Sequence, residues 1–391
     1  VPILSHWLAG ARMFFFCRYS KRFVGARGRG RDAEALNPRM PPMSVRSVLA
    51  RWRQSLFVLS ALGLSALAAA PAQAGTTVDT IRKRGQLVCG VSQGSAGLSL
   101  ADGQGRWSGL DVDFCRALAA AVLGNADKVR YVPLSSQQRF PALQSGEIDV
   151  LNRNTTVTSG RDAGLGVTAA AIVFYDGQGF MVPKKLGVSS ARQLDGAQVC
   201  VQPGTNNEQN LVDWFSTHKL KYRSVVIENL VELEKAFYSG RCDVYLSDAS
   251  TLAASRSARA GNPDDYVILP ERVNKSPLAP WVRDSDTNWI DIVRWTVHAV
   301  VAAEELGISS ANVDSFLTSK DPQVRRLLGV DPGIGKSFQL DERWAYNVVK
   351  AVGNYGEIWD RNVGPKTPLK LERGLNALWN KGGLLYAPPF Q

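Results

Sequence analysis

Two stretches of the chain repeat one local plan. Ala142-Leu143-Gln144-Ser145-Gly146-Glu147-Ile148-Asp149-Val150 is paralleled by Ala236-Phe237-Tyr238-Ser239-Gly240-Arg241-Cys242-Asp243-Val244. Each reads as a helix end, a glycine stop and the start of a buried strand. Upstream of each lies a cysteine-bearing strand that ends near a glycine, Cys89 to Gly94 and Cys200 to Gly204. A chain that carries one strand–helix plan twice is directed toward two similar lobes, although helix–glycine–strand junctions also recur in unrelated chains.

The surrounding pattern is α/β. Leu87–Val91 and Val129–Leu134 read as strands. Between them Asp111 is expected to cap a helix whose apolar face carries Phe114, Leu118 and Val122. The alternation recurs at 197–202, 206–220, 224–228, 230–240 and 243–247, which argues for sheets with helices packed on them. A long helix is expected over 287–308. Asp291, Arg294 and His298 interrupt its apolarity, so it reads as a packed helix rather than a membrane span. Residues 309–391 are expected to complete and extend the first lobe.

With 391 residues the chain has room for two domains of ordinary size. Its formal charge of +11 is unevenly spread: residues 1–74 hold eleven basic and two acidic side chains, and the rest is nearly balanced. No basic stripe with interleaved aromatics remains beyond the leader, so nucleic acid is not an expected partner. The leader has the anatomy of a signal peptide over 43–74. Arg46, Arg51 and Arg53 precede an apolar run from Leu56 to Ala70, and Ala72-Gln73-Ala74 is a small-x-small cleavage site. The residue after that site is Gly75, not the cysteine of a lipoprotein. Candidate starts stand at Met40 and Met43, and residues 1–42 read as a non-native or mis-annotated leader.

Beyond the leader stand Cys89, Cys115, Cys200 and Cys242, an even number in an exported chain, which favours two disulfides. Four cysteines allow three connectivities. The repeat places two cysteines in each lobe, so the expected pairs are Cys89–Cys115 and Cys200–Cys242. No spacing resembles a zinc site.

The repeat also indicates a site. Five residues after the shared aspartate come Asn154 in one copy and Asp248 in the other. Both stand at strand carboxyl ends, where open α/β sheets bind ligands. Around Asn154 lie Thr155, Thr156, Thr158, Ser159 and Arg161, hydroxyls and a guanidinium suited to a carboxylate. Gly204-Thr205-Asn206-Asn207 precedes a helix whose free N–H groups suit an anion. Asp248 suits an ammonium. Together they fit a zwitterion, an α-amino acid. Each group also has a reading without a ligand: a solvated Thr-Ser-Gly-Arg turn, an Asp248 N-cap, and helix capping by Thr205 and Asn206.

Catalytic patterns are poor. His218 and His298 lie inside helical patterns and read as structural. No G-x-S-x-G, H-E-x-x-H or phosphate loop appears, and Gly333-Ile334-Gly335-Lys336 reads as a turn. No catalytic residue, metal or cofactor is expected.

Gly109-Leu110-Asp111-Val112-Asp113-Phe114-Cys115-Arg116-Ala117-Leu118-Ala119 resembles the signature of family 3 bacterial solute-binding proteins. The likeness continues through Arg153-Asn154-Thr155-Thr156, Tyr175-Asp176-Gly177-Gln178-Gly179-Phe180, Cys200-Val201-Gln202-Pro203-Gly204-Thr205 and Arg373-Gly374-Leu375-Asn376-Ala377-Leu378-Trp379. It covers nearly all of residues 75–391. The resemblance implies a type 2 periplasmic-binding fold, two lobes joined by two hinge strands near Gly179–Lys184 and Lys275–Val282. The expected division is 75–181 for the first part of lobe 1, 182–276 for lobe 2 and 277–391 for the return to lobe 1.

It further implies a monomeric periplasmic receptor that binds free L-amino acids and hands them to ABC-transporter permease subunits in the inner membrane. By the family pattern Asn154, Thr156 and Arg161 hold the ligand carboxylate, with Thr205 and Asn206 helping, and Asp248 holds the ammonium. Tyr175, Asp176 and Gln178 are candidates for the side-chain pocket. Narrower members place an aromatic after the first strand. Here Gly94-Ser95-Ala96-Gly97 stands instead, which suits broad specificity. Some relatives on this scaffold are cyclohexadienyl dehydratases acting on prephenate or arogenate, the alternative reading.

Overall fold

The computed structural model describes residues 76–391. The expected signal peptide and non-native leader lie outside the described residues.

Ten strands form one continuous sheet whose order is nearly a palindrome of the repeat. In the first half, β1 (Leu87–Val91) pairs in parallel with β2 (Val129–Pro133) and β3 (Val150–Thr156). In the second half, β6 (Ala197–Val201) pairs in parallel with β7 (Tyr222–Val226) and β8 (Val244–Asp248). Each half meets an antiparallel crossover strand. β10 (Lys275–Arg283) runs beside β3, and β5 (Phe174–Pro183) runs beside β8. The two crossover strands pair with each other from Phe174 to Gly177 against Leu278 to Lys275. Each therefore belongs to both lobes. Two short strands complete the sheet, β4 (Val167–Ala169) against β10 and β9 (Tyr266–Ile268) against β5.

The repeated aspartates do the same job twice. The Asp149 carboxylate accepts the Val88 N–H at 2.7 Å, and the Asp149 N–H donates to Val88 O at 2.9 Å. The Asp243 carboxylate accepts the Gln198 N–H at 2.8 Å, and its own N–H donates to Gln198 O at 2.9 Å. Each bridges the incoming chain to the start of the cysteine strand, which fixes parallel register. The glycine stops have φ of 79° at Gly146 and 82° at Gly240, the left-handed conformation that ends a helix without a Cβ clash.

Both expected disulfides are present, Cys89–Cys115 with Cα atoms 6.2 Å apart and Cys200–Cys242 with 5.7 Å. Each ties a central strand to the helix or strand junction beside it. Cys89 and Cys115 belong to the larger core, with Leu87, Phe114 and Val150. Cys200 and Cys242 pack with Met181, Phe237 and Tyr245.

Helices cover the sheet. The lobe-1 helices are α1 (Thr77–Arg84), α2 (Leu110–Leu123), α3 (Arg139–Gln144) and α4 (Ser159–Gly164). The second half adds α5 (Asn206–Thr217), α6 (Leu230–Tyr238) and α7 (Ala249–Arg259). The long helix α8 (Thr287–Glu305) buries Trp289, whose Nε1 donates to Asp149 O at 2.9 Å. Among the described residues no helix is long and apolar enough to cross a membrane. Residues 309–391 carry α9 (Val313–Phe316), α10 (Pro322–Leu327), α11 (Ile334–Ser337), α12 (Trp344–Val352) and α13 (Tyr355–Asn362). Their Trp344, Val348, Ile358 and Trp359 join the core that holds β1 and α2.

One local expectation is corrected. Asp111 does not cap α2: Gly109 holds the cap position and Asp111 lies inside the first turn, buried. The Gly333–Lys336 segment, expected as a turn, is a single helical turn. Its Gly333, Gly335 and Lys336 N–H groups donate to the Glu342 carboxylate at 2.9, 3.1 and 3.2 Å.

Candidate functional site

The carboxyl ends of β3 and β8 face one another across a narrow cleft. Arg139 at the start of α3 and Arg153, Asn154 and Thr156 on β3 line one side. Thr205, Asn206, Asp248 and Thr251 line the other. Three polar contacts cross the cleft. Ser135 Oγ donates to Glu228 Oε1 at 2.6 Å, Arg139 Nη2 to Gly204 O at 3.0 Å, and Asn154 Nδ2 to Thr251 Oγ1 at 3.2 Å.

Asn154 is placed by Asp111. The Asp111 carboxylate accepts the Asn154 N–H at 3.1 Å, and Asn154 has a φ of 32°. Asparagine tolerates that left-handed region better than most residues. The break interrupts the period-two alternation of β3. Arg153, Asn154 and Thr156 all reach the cavity as a result. Burial pushes Asp111 up to about 7, against the opposing pull of the Asn154 N–H and Arg153.

Asp248 closes β8 and stands in the N-cap position of α7, yet its carboxylate makes no cap bond. It accepts Ser276 Oγ at 2.8 Å, and Ser276 Oγ lies 2.8 Å from Thr156 Oγ1. This hydroxyl chain links the two sides of the cleft through β10. Burial, and then the neighbouring Asp176 carboxylate, push Asp248 up to about 7, while Ser276, Arg161 and Arg139 pull it down. Asp176 is also raised by burial, and it accepts N–H bonds from Gly177 at 2.7 Å and Ser250 at 3.1 Å. A buried carboxylate with an elevated pKa lacks a full positive partner, which a ligand ammonium would supply.

The sequence-predicted residues divide into three groups. Asn154, Thr156, Thr205, Asn206 and Asp248 share the cavity lining. Arg161 stands beside it: Nη1 donates to Thr156 O at 2.8 Å and the guanidinium lies 5.6 Å from the Phe140 ring centre. Burial lowers its pKa and Asp248 raises it. Gln178 and Tyr175 are not among the cavity-lining residues. Gln178 is fully buried, pairs in register with Asp248 and accepts Asn210 Nδ2. Tyr175 opens instead onto a separate depression with Trp359, Arg373 and Asn376.

Arg139 and Arg153 enter the site without having been singled out. Both are buried, at 3% and 4% exposure. Arg153 Nε donates to Leu134 O at 2.9 Å and its Nη2 to Ser136 Oγ at 3.2 Å. Burial lowers it to about 10, with Asp111 opposing. Its adjacency to Asn154 was the available signal, but strict strand alternation assigns neighbours to opposite faces. Ser92 and Ser95, after β1, also line the cleft. Neither His218 nor His298 lines the cleft. His298 is held near 4 by burial and Arg294.

The profile of bacterial extracellular solute-binding proteins, family 3, matches residues 87–310. The general L-amino acid-binding periplasmic protein AapJ of Rhizobium johnstonii is 51% identical, over 84% of this chain and 97% of its own length. The glutamate/glutamine/aspartate/asparagine-binding protein BztA of Rhodobacter capsulatus is 50% identical, over 84% of this chain and 97% of its own length. Among solved structures, a periplasmic binding protein of an ABC transporter from Brucella ovis, with glutathione bound, superposes with a TM-score of 0.80. It is 49% identical and covers 81% of this chain and 100% of its own.

Proposed function

The chain belongs to the bacterial extracellular solute-binding proteins, family 3, and from that premise we propose that it captures free L-amino acids in the cleft and delivers them to the permease subunits of an ABC transporter in the inner membrane. The carrying observation is the cavity itself. Hydroxyls, an amide and guanidinium groups from one lobe face Asp248 from the other. Such a pair of walls is complementary to an ammonium and a carboxylate on one carbon.

In this reading Arg161, Asn154 and Thr156 take the α-carboxylate, with the Thr205–Asn206 start of α5 adding N–H donors. Asp248 takes the ammonium. Ligand touching both lobes stabilises the closed form over an open one. The hinge is assigned to the stretch where β5 and β10 pair, Phe174–Gly177 with Lys275–Leu278; Gly179 to Met181, expected in the hinge and lobe 1, pair with β8 instead, so lobe 2 begins a few residues before the expected 182. Gln178 and Tyr175 would act through the hinge and its flank rather than by touching ligand. Relatives named for several amino acids, and a neighbour solved with glutathione, support a roomy pocket. Glutathione carries an α-amino-carboxylate end of the same chemistry. Export through the 43–74 signal, a periplasmic location and a monomeric receptor without enzymatic turnover complete the proposal.

Blocking either end of the ligand tests it. The purified protein should bind an L-amino acid such as L-glutamine. Its affinity for the N-acetyl derivative and for the α-amide should fall by at least about 100-fold, as expected when a buried charge loses its partner. Equal binding of the blocked compounds would refute the zwitterion clamp. Formation of phenylpyruvate from prephenate would favour the dehydratase instead.

A further inference from the structure

The chain after α13 differs from the other described residues in both charge and surface. Residues 363–391 carry four basic side chains, Lys366, Lys370, Arg373 and Lys381, against one acidic one, Glu372. The described residues before them are balanced, with 31 basic and 32 acidic side chains. Arg373 is spent within the protein: it pairs with Glu304 at 3.1 Å and lies over the Tyr355 and Trp359 rings. Lys366, Lys370 and Lys381 are exposed, and among the described residues no ion pair engages them.

The same segment displays an apolar patch. Of the seven large hydrophobic side chains exposed among the described residues, four lie in the loop 375–386: Leu375, Trp379, Leu384 and Tyr386, each 50% to 60% exposed. Between them Leu378 and Leu385 are buried in the large core. The loop backbone is pinned. Leu384 N–H donates to Leu375 O at 2.9 Å, Trp379 N–H to Leu385 O at 2.8 Å and Gly383 N–H to Leu378 O at 3.0 Å. The Trp379 and Tyr386 ring centres stand 5.7 Å apart, and Lys381 shares the short helical turn of Trp379. None of the four lines the amino-acid cleft. Apolar side chains gathered on an ordered loop mark an interaction surface, and docking on it needs no further ordering of the backbone.

The composition points to the partner. Interfaces between proteins are depleted in lysine and favour arginine. Trp, Tyr and Leu beside uncommitted lysines are the set that settles at a bilayer surface, with rings at headgroup level and ammonium groups on lipid phosphates. We propose that the loop 375–386 docks on the surface of an anionic lipid bilayer. Leu375, Trp379, Leu384 and Tyr386 enter the headgroup region, Lys381 pairs with lipid phosphates, and Lys366 and Lys370 add longer-range attraction. The attachment is peripheral and reversible, since four side chains bury far less apolar surface than a spanning helix. This inference goes beyond the amino-acid reading and does not depend on it.

Flotation of the purified protein, after signal cleavage, tests it with two kinds of vesicle: phosphatidylglycerol and phosphatidylcholine in equal parts, and phosphatidylcholine alone. No amino acid is added, so the result stands apart from the cleft. The protein should float with the anionic vesicles at least about tenfold better than with the neutral ones. Raising salt from about 0.1 M to about 1 M shortens the screening length from about 10 Å to about 3 Å and should release most of it. Trp379→Ser combined with Tyr386→Ser should lower the partition at least about tenfold, and Lys381→Glu at least about fivefold, with Tm unchanged. Absence of wild-type flotation would overturn the proposal, and this arm needs no variant to fold. Equal flotation with both vesicles, or variants that float as well as wild type, would overturn it too. Dimerisation, or binding of permease subunits in detergent, that is lost in the double variant while neither vesicle is bound would assign the patch to a protein partner instead.

Discussion

The Arg139 guanidinium donates to the carbonyl oxygen of Gly204 at 3.0 Å, from the start of α3 in one lobe to the loop before α5 in the other. With Ser135–Glu228 and Asn154–Thr251 it makes three direct polar links across the cleft. The neutral Asn154–Thr251 bond nets about 1 kcal/mol against water, and the two that involve a charged group about 1.5–3 kcal/mol each. In the proposed reading, ligand charges paired with both walls add to these links in holding the lobes together.

The two residues assigned to the ligand ends therefore carry the largest predicted losses. Arg161→Ala and Asp248→Ala should each weaken amino-acid binding by about 2–5 kcal/mol, because each leaves a ligand charge buried without its partner. Calorimetry checks this. A loss below a few tenths of a kcal/mol would reject the role of that residue.

Binding should depend on pH through Asp248. Its pKa is raised to about 7 in the ligand-free cleft, so the protonated form is favoured there below that value. A raised carboxylate favours the closed form at low pH and loses that contribution as pH rises through about 7. A ligand ammonium reverses the preference, since it pairs with the ionised form. Below pH 7 the ligand must displace a proton, and affinity should fall by up to about tenfold per unit as pH drops toward 5. Titration in buffers of different ionisation heat should show proton release, and Asp248→Asn should abolish it. Affinity that is flat between pH 5 and 8 would contradict the pairing.

The disulfides close loops with sequence separations of 26 and 42. By loop-closure entropy each should stabilise its lobe by about 3–4 kcal/mol. Replacing Cys89 and Cys115 by serine, or Cys200 and Cys242, should lower Tm measurably in either case. Reductant should have no effect on the variant lacking both. A reductant-insensitive wild-type Tm would show that the bridges do not form.

Gly109 has a φ of 131°, and a Cβ there would lie 2.1 Å from Leu98 O. Gly109→Ala should therefore destabilise the protein by more than about 1 kcal/mol, through backbone strain and the clash together. Denaturant unfolding reads it; unchanged stability would mean that the loop before α2 yields freely.

Much of this architecture was legible in the sequence, because the repeat encodes it. Asp149 and Asp243 bind equivalent backbone groups, Gly146 and Gly240 adopt the same left-handed turn, and the cysteines pair within the lobes the repeat defines. Strand and helix ends shifted by a residue or two: the strand expected at 224–228 is Tyr222–Val226, and the helix expected at 206–220 ends at Thr217. Element ends depend on capping and packing more than on periodicity.

The site was legible where charge and strand position coincide, as at Asp248 and Asn154. It was not legible at Arg139, which comes from a short helix distant in sequence and enters the cavity only through the fold. Asp111 shows the same limit. Its position suggested a cap, whereas its carboxylate holds the Asn154 backbone, a tertiary contact that no local pattern signals.

The central claim is capture of free L-amino acids between the lobes, and a thermal-shift and calorimetric screen of the purified protein against the twenty L-amino acids tests it most directly. The account predicts saturable stabilisation by several of them; no stabilisation by any of the twenty would contradict it.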